Sequence, residues 1–281
     1  MLIQAWKTRL IVACLMLLCA PAANGEDQPL WEAGLGFTIL DFADYRGSDE
    51  RSSFLLPAPY LIYRGDLLKI DRDRVRGLFF EYERVSLQLS VSGSVPVNSS
   101  DNAARQGMPD LDPTLEIGPS LEMRLYRSTN EDLTVDLRLP VRTVVATDLR
   151  HSHNVGWVFA PLITVDLSGQ FAGAKWKTGL ALGPLFGDKR YHNYFYGVAP
   201  EYATAQRSAY VAESGYAGGQ VIGSLSRRYQ RMWVGAFVRW DSVSNAVFQA
   251  SSLVRQDNTL TAGIAVVWRL RQSSQRVEAR D

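Results

Sequence analysis

The chain has 281 residues, with 30 Lys and Arg against 29 Asp and Glu, so its formal net charge is +1. That balance excludes the basic footprint of a nucleic-acid binder. Apolar residues make up 46% and the mean hydropathy is −0.10, which excludes a bundle of several membrane-spanning helices.

The first segment reads as an export signal. Lys7 and Arg9 precede the apolar run Leu10 to Cys19, and Ala23-Asn24-Gly25 offers a small-x-small cleavage site before Glu26. The run is too short for a spanning helix, which takes roughly 20 residues. Residues 1–25 are therefore expected to be cleaved off, taking both cysteines, Cys14 and Cys19, with them. Leu18 is bulky where a lipoprotein signal wants a small residue before its cysteine. An exported chain without disulfides needs some other large hydrogen-bonded structure to hold it together.

From residue 30 onward the chain alternates. In Arg84 to Gly93, Val85, Leu87, Leu89 and Val91 fall on one face and Ser86, Gln88, Ser90 and Ser92 on the other. Leu133 to Val141 repeats the pattern, and so does Leu115 to Leu125. Such alternation means strands with one apolar and one polar face. Strands are expected near 30–40, 53–64, 66–72, 75–81, 84–94, 115–127, 131–144, 155–168, 173–185, 216–229, 231–242 and 260–270, about 12 by this count.

A soluble sandwich and a membrane barrel both alternate in this way. Three features favour a transmembrane antiparallel up-and-down β-barrel over residues 26–270, in contact with outer-membrane lipid. The strands approach the 9–11 residues that cross a bilayer at a tilt. Aromatics such as Trp31, Tyr126, Trp157, Trp240 and Trp268 stand near strand ends, where interfacial girdles belong. The long connections, 41–52, 95–114, 145–154, 186–215 and 243–259, all fall on one side if both termini are periplasmic. The other side then has short turns, as single-chain barrels do. Closure also satisfies every strand backbone group in lipid and removes sheet edges.

Between two of these strands lies Phe186 to Tyr216, rich in tyrosine and without a helical or strand period. So long a connection is usually functional or disordered, and its aromatics argue against disorder. It is expected to fold inward and plug the barrel. Tyr194, Tyr196, Tyr202, Tyr210 and Tyr216 would bury their rings while their hydroxyls meet lumen charges. Those charges are Glu116, Glu122, Arg124, Asp136, Arg138, Arg142 and Asp166, all on the polar strand face. They could line a selective solute pore or form an internal ion-pair network that fills the barrel.

The last strand carries Gly263, Val266 and Trp268 in the pattern that barrels present to their assembly machinery, followed by a polar tail, 271–281. Histidine is scarce. His151, His153 and His192 all fall in expected outer loops and read as surface residues rather than metal ligands. Asp101, Asp110 and Asp112 offer hard oxygens, but solvated loop carboxylates are the simpler reading. No histidine sits beside a serine on an alternating strand, so neither a lipase-type triad nor a cofactor is expected.

Three blocks together resemble the MipA/OmpV family of outer-membrane proteins. They are Pro57-Ala58-Pro59-Tyr60 with Tyr63-Arg64-Gly65; Gly107-Met108-Pro109-Asp110-Leu111-Asp112-Pro113-Thr114-Leu115-Glu116-Ile117-Gly118-Pro119; and Tyr196-Gly197-Val198 with Pro200, Ala209-Tyr210 and Gly215-Tyr216. The resemblance implies a non-enzymatic barrel in the cell outer membrane. Its implied role is a scaffold joining a lytic transglycosylase to a penicillin-binding protein in murein synthesis. Other members of that family resemble adhesins or surface antigens, and a passive pore remains the alternative. Fold alone does not choose among these.

Overall fold

The computed structural model describes residues 28–64, 68–70, 75–77, 80–82, 84–130, 132–148, 150–171 and 174–277. The expected signal segment lies outside them. The strands are β1 (Gln28–Pro29), β2 (Trp31–Ala43), β3 (Arg51–Arg64), β4 (Leu68–Ile70), β5 (Val75–Gly77), β6 (Phe80–Tyr82), β7 (Val85–Ser94) and β8 (Thr114–Arg127). They continue as β9 (Leu133–Thr147), β10 (Ser152–Phe159), β11 (Leu162–Phe171), β12 (Ala174–Gly187), β13 (Gly215–Arg228), β14 (Met232–Ser242), β15 (Asn258–Gln272) and β16 (Arg276–Val277). One α-helix, α1 (Lys189–Tyr196), stands between β12 and β13.

The ladder runs β5-β4-β3-β2-β15-β14-β13-β12-β10-β9-β8-β7-β6, with every pairing antiparallel. Its two ends, β5 and β6, are two residues apart in the chain, so the ladder returns to its start and closes as a barrel. β10 and β11 share one position: both pair with β9 and with β12. With β10 and β11 counted as one position, and β5 and β6 as the one where the ladder closes, the wall has 12 strands among the described residues.

The single strand expected over 155–168 is thus two. Ala160 and Pro161 interrupt it, because proline has no N–H to give the ladder. The polar tail expected from 271 also differs. β15 continues to Gln272, and β16 pairs with β1 as a two-stranded ribbon that ties the two ends together.

The pleat sorts the side chains. On β2, Leu35, Phe37 and Ile39 face outward with 49%, 55% and 59% of their surface accessible. Leu55, Leu182, Val238 and Ile264 continue the same belt. So much contiguous exposed apolar surface is expected only where lipid covers it. Trp157 and Trp240 are exposed toward one end of the belt and Tyr126 and Trp268 toward the other. Trp240 pairs with Leu260, and Trp268 lies eight residues further along β15. At about 3.3 Å per residue and a tilt near 40°, that is about 20 Å, close to the height of a barrel's apolar band.

The larger of the two buried apolar clusters among the described residues does not lie between two layers of sheet. It sits at one end, where the long connections meet: Tyr45, Val97, Leu111, Tyr196, Val198, Val243, Phe248 and Leu253 are buried there against Val144, Ala146, Val155 and Leu185 of the wall.

Candidate functional site

The outer mouth is covered by four connections, 44–50, 95–113, 188–214 and 243–257, and α1 lies at their centre. Asp188 caps the helix, accepting a hydrogen bond from the Tyr191 N–H at 2.8 Å. Tyr191 with Phe195 and His192 with Tyr196 stand four apart and share faces, the first pair with rings 5.2 Å apart. The helix corrects the reading of this stretch as free of any period. Eight residues are too few to show a convincing period, and the helix is held by its tertiary contacts.

Two glycines of the wall make room for it. Gly156 sits at a bulge in β10 with φ 124°, and a Cβ there would stand 2.1 Å from the Asp188 carboxylate. A Cβ on Gly187 would meet the ring of His192 at 2.5 Å.

The connections interlock through rings and arginines. Tyr196 stacks on Phe248 at 3.6 Å and 7°, while Tyr45 and His192 meet this pair edge-on. Arg46 donates to the Asp241 carboxylate at 2.9 Å and to the carbonyls of Ala217 and Gly219, pinning the first connection to β13 and β14. Arg105 donates to the carbonyls of Phe195 and Pro109, which joins the second connection to α1. Arg207 donates to the carbonyls of Tyr202, Ala104 and Gln106, which joins the third connection to the second. Loop carbonyls lack strand partners, so a guanidinium with five donors is an economical way to satisfy several at once. No local pattern in the sequence marks these three arginines.

The five tyrosines do not share one role. Tyr196 is 3% exposed and donates its hydroxyl to the Arg46 carbonyl at 2.9 Å. Tyr194 and Tyr210, both half-buried, donate to the carbonyls of Asp112 and Val247. Burial pushes the Tyr194 hydroxyl up to about 12. Tyr202 is half-buried against the same core. Tyr216 belongs to the wall, edge-on to Phe186 at 5.8 Å. The expectation that these hydroxyls meet lumen charges is corrected: Tyr194, Tyr196 and Tyr210 bond main-chain carbonyls of neighbouring connections instead.

The seven lumen charges face one another. Arg142 bonds Glu116 at 2.8 Å, with both side chains about nine-tenths buried, and reaches Ser90 on β7. Arg138 stands 3.8 Å from Glu122 and 3.5 Å from Asp166, and Arg124 is 3.6 Å from Asp136. The register makes this pairing: Glu122 lies opposite Arg138 and Arg124 opposite Asp136 on β8 and β9. Lower on the inner face, Lys175 and Lys177 of β12 are exposed.

Of the histidines, His151 is 85% exposed beside Asp148, and His153 is exposed. His192 corrects the surface reading, for it is wholly buried. Its Nδ1 lies 2.6 Å from the Glu213 carbonyl, and its Nε2 has no partner among the described residues. Burial holds its pKa below the ordinary imidazole value. Asp110 accepts from the Ser99 N–H and Asp101 from the Asn98 side-chain amide, both within connection 95–113. Among the described residues no group of three acidic, histidine or cysteine side chains is arranged to hold a metal. On β15, Gly263 faces inward and is buried, while Val266 and Trp268 lie on the outward face.

Among solved structures, the CymD monoaromatic hydrocarbon channel aligns over 88% of this chain and 68% of its own, at 13% identity and a TM-score of 0.29. The toluene transporter TodX of P. putida aligns over 90% and 69%, at 10% identity and 0.28. OprG of Pseudomonas aeruginosa aligns over 87% and 95%, at 9% identity and 0.23. Scores this low carry no argument about function. No curated protein sequence matches the chain. The family profile described as "MltA-interacting protein MipA" matches residues 34–270, from β2 to β15. With its lipid-facing belt, closed ladder and matched profile, this chain is an outer-membrane β-barrel and belongs to the MltA-interacting protein MipA family.

Proposed function

We propose that the chain is a non-enzymatic scaffold of the outer membrane: a barrel closed from outside that presents its periplasmic rim to enzymes of the murein layer. One observation carries the reading. The outer connections are interlocked by Arg46, Arg105 and Arg207 over a buried aromatic core, and the inward charges below are paired with one another. A barrel built this way has its outer entrance sealed, and a sealed barrel serves better as a support than as a conduit. The family's description as an MltA-interacting protein supports a murein hydrolase as one partner, with a lytic transglycosylase and a penicillin-binding protein the pair to look for. Crosslinking in intact cells followed by pull-down should recover such enzymes. Recovering none from cells that carry the folded barrel would contradict the scaffold.

The exposed Lys175 and Lys177 on the inner face favour a second reading, a passive pore for small anionic solutes with the cap as its gate. Steady conductance of the purified protein in planar bilayers would select it.

A further inference from the structure

The inward face of the barrel differs from sector to sector. Outer-membrane barrels line their interior with polar residues, and β7, β8, β9 and β11 do so here with Ser90, Glu116, Glu122, Arg138 and Asp166. Over the middle of β2, β3 and β14 the inward face is apolar instead. Leu40 lies opposite Phe54 and opposite the inward Gly263, which in turn lies opposite Phe237. Phe42 stacks on Phe54 at 5.6 Å, and Leu56 is the next inward residue of β3. Gly263 leaves room for these side chains: a Cβ there would stand 2.5 Å from the Phe237 ring and 2.7 Å from Leu40. Thr38, between them on β2, turns its hydroxyl to the Ile264 carbonyl at 3.2 Å. Leu40, Phe42, Phe54, Leu56 and Phe237 are each half-buried, so apolar surface is left facing the lumen.

In a ring of 12 positions β2 and β9 stand six apart, as do β3 and the position shared by β10 and β11. The apolar sector therefore looks across the lumen at the charged one. The charges opposite are already matched, Arg142 with Glu116 and Arg138 with Glu122 and Asp166. Lys175 and Lys177 are not. They stand on the inward face near the periplasmic end of β12, exposed and without an ion pair among the described residues. Ser224 is exposed beside them and the Asp166 side chain is 49% exposed, so solvent reaches this part of the lumen from the periplasmic mouth. The apolar sector has limits at both ends. Above it Arg239 and Arg46 meet Asp241 at 2.7 and 2.9 Å, and below it the buried Glu32 is held by Arg228 and by Arg269 at 3.2 Å. Between them the stretch from Phe54 to Tyr60 rises about 15 Å at about 3.3 Å per residue and a tilt near 40°, the length of an extended chain of about 12 carbons.

We propose that the lumen binds a single-chain amphiphile with an anionic head, its acyl chain laid along the sector of Leu40, Leu56 and Phe237 and its head toward Lys175 and Lys177. Such a chain covers apolar surface that otherwise meets lumen water, and a few convergent polar groups fix its direction. The matched pairs on the opposite wall keep their partners and leave the two lysines as the cations that meet the head. With the outer mouth covered, the site is blind: its ligand enters from the periplasmic side and is held rather than passed. The site needs no murein enzyme, so it stands or falls apart from the scaffold.

The test uses the full barrel in nanodiscs, a dodecanoic acid carrying a photoactivatable diazirine near its methyl end, and residue-level mapping of the crosslinks. The pleat supplies an internal control, because Leu56 and Phe237 face the lumen while their neighbours Leu55 and Val238 face lipid. Labelling of Leu56 and Phe237 should saturate and be displaced by excess dodecanoate, whereas labelling of Leu55 and Val238 should only grow with dose. The same chain with a trimethylammonium head should label the inward pair at least about tenfold less. Lys175→Gln combined with Lys177→Gln should lower inward labelling by the acid about fivefold and leave the outward pair unchanged. Lysophosphatidylglycerol displacing the probe better than dodecanoate assigns the head to a lipid phosphate; weaker displacement assigns it to a free carboxylate. Labelling confined to Leu55 and Val238, equal inward labelling by the cationic probe, or an unchanged double variant would overturn the proposal. The wild-type barrel and the double variant should show the same heat-modifiable band shift, which keeps misfolding out of the comparison.

Discussion

The two ends of this barrel are built on opposite principles. At the outer end, long connections bury aromatic rings against one another and satisfy loop carbonyls with arginines, so the mouth is covered by a small core of its own. At the periplasmic end the turns are short, the charges are mostly positive and partly exposed, and Glu32 organises rather than fills the space. The strands that join these ends are nearly continuous, so the difference arises almost wholly from the connections. A covered top and a charged bottom give the molecule two unlike ends, and the proposed scaffold uses the lower one.

Breaking the cap should produce the largest effect. Phe248 is fully buried and stacked on Tyr196, and truncating such a ring costs about 3–5 kcal/mol. Phe248→Ala is expected to open connection 188–214 to protease in the folded barrel, while pull-down of murein enzymes stays unchanged. Loss of both together would mean that the two ends are not independent.

Within the lumen, Arg142→Gln leaves Glu116 without its cation, and a buried pair broken this way costs about 3 kcal/mol at most sites. The heat-modifiable band shift of the barrel on gels should move to lower temperature. An unchanged transition would show that the pair is hydrated and contributes little.

Gly156→Ala sharpens the comparison at a single backbone position. The added methyl would meet the Asp188 carboxylate in a φ 124° bulge, a strain of about 1–3 kcal/mol. Hydrogen exchange should quicken in α1 and nowhere in the periplasmic turns.

The smallest effect is a pH dependence of the cap. Unfolded, His192 titrates near its ordinary value of about 6.5; in the cap its value lies lower because burial disfavours the charged form. Protons therefore bind the loosened state more readily. The stabilisation from neutral His192 is complete above about 6.5 and is lost as pH falls through the lowered folded value. Asp188 and Arg46 act on the ring in opposite directions, the first favouring and the second opposing its charge. Protection of the α1 amides, with the intrinsic pH dependence of exchange divided out, should fall between pH 7 and pH 5 in the wild type and stay level in His192→Phe.

The walls were legible in the sequence because a period of two needs no tertiary information. Leu87, Leu89 and Val91 on β7, or Leu260, Ile264 and Trp268 on β15, declare their face by spacing alone. The side on which the long connections fall followed from strand parity, and the cross-strand partners Glu122 and Arg138 were already on one face. The cap was less legible. Arg46 contacts Ala217 and Arg105 contacts Phe195 across long stretches of chain, and such contacts leave no local signature. α1 is short, and its aromatic residues resemble a girdle as much as a helix face. His192 looked like a surface residue because what buries it, Phe248, arrives from a distant connection. The Pro161 break in the eighth wall position did carry a signal, the missing N–H of proline, within an otherwise regular alternation.

The most direct test of the central claim, a barrel sealed at its outer end, is single-channel recording of the purified protein in planar bilayers, wild type beside Phe248→Ala. A sealed cap predicts an almost silent wild type and conductance steps that appear only when Phe248 is removed. A steady open-channel current through the wild type would contradict it.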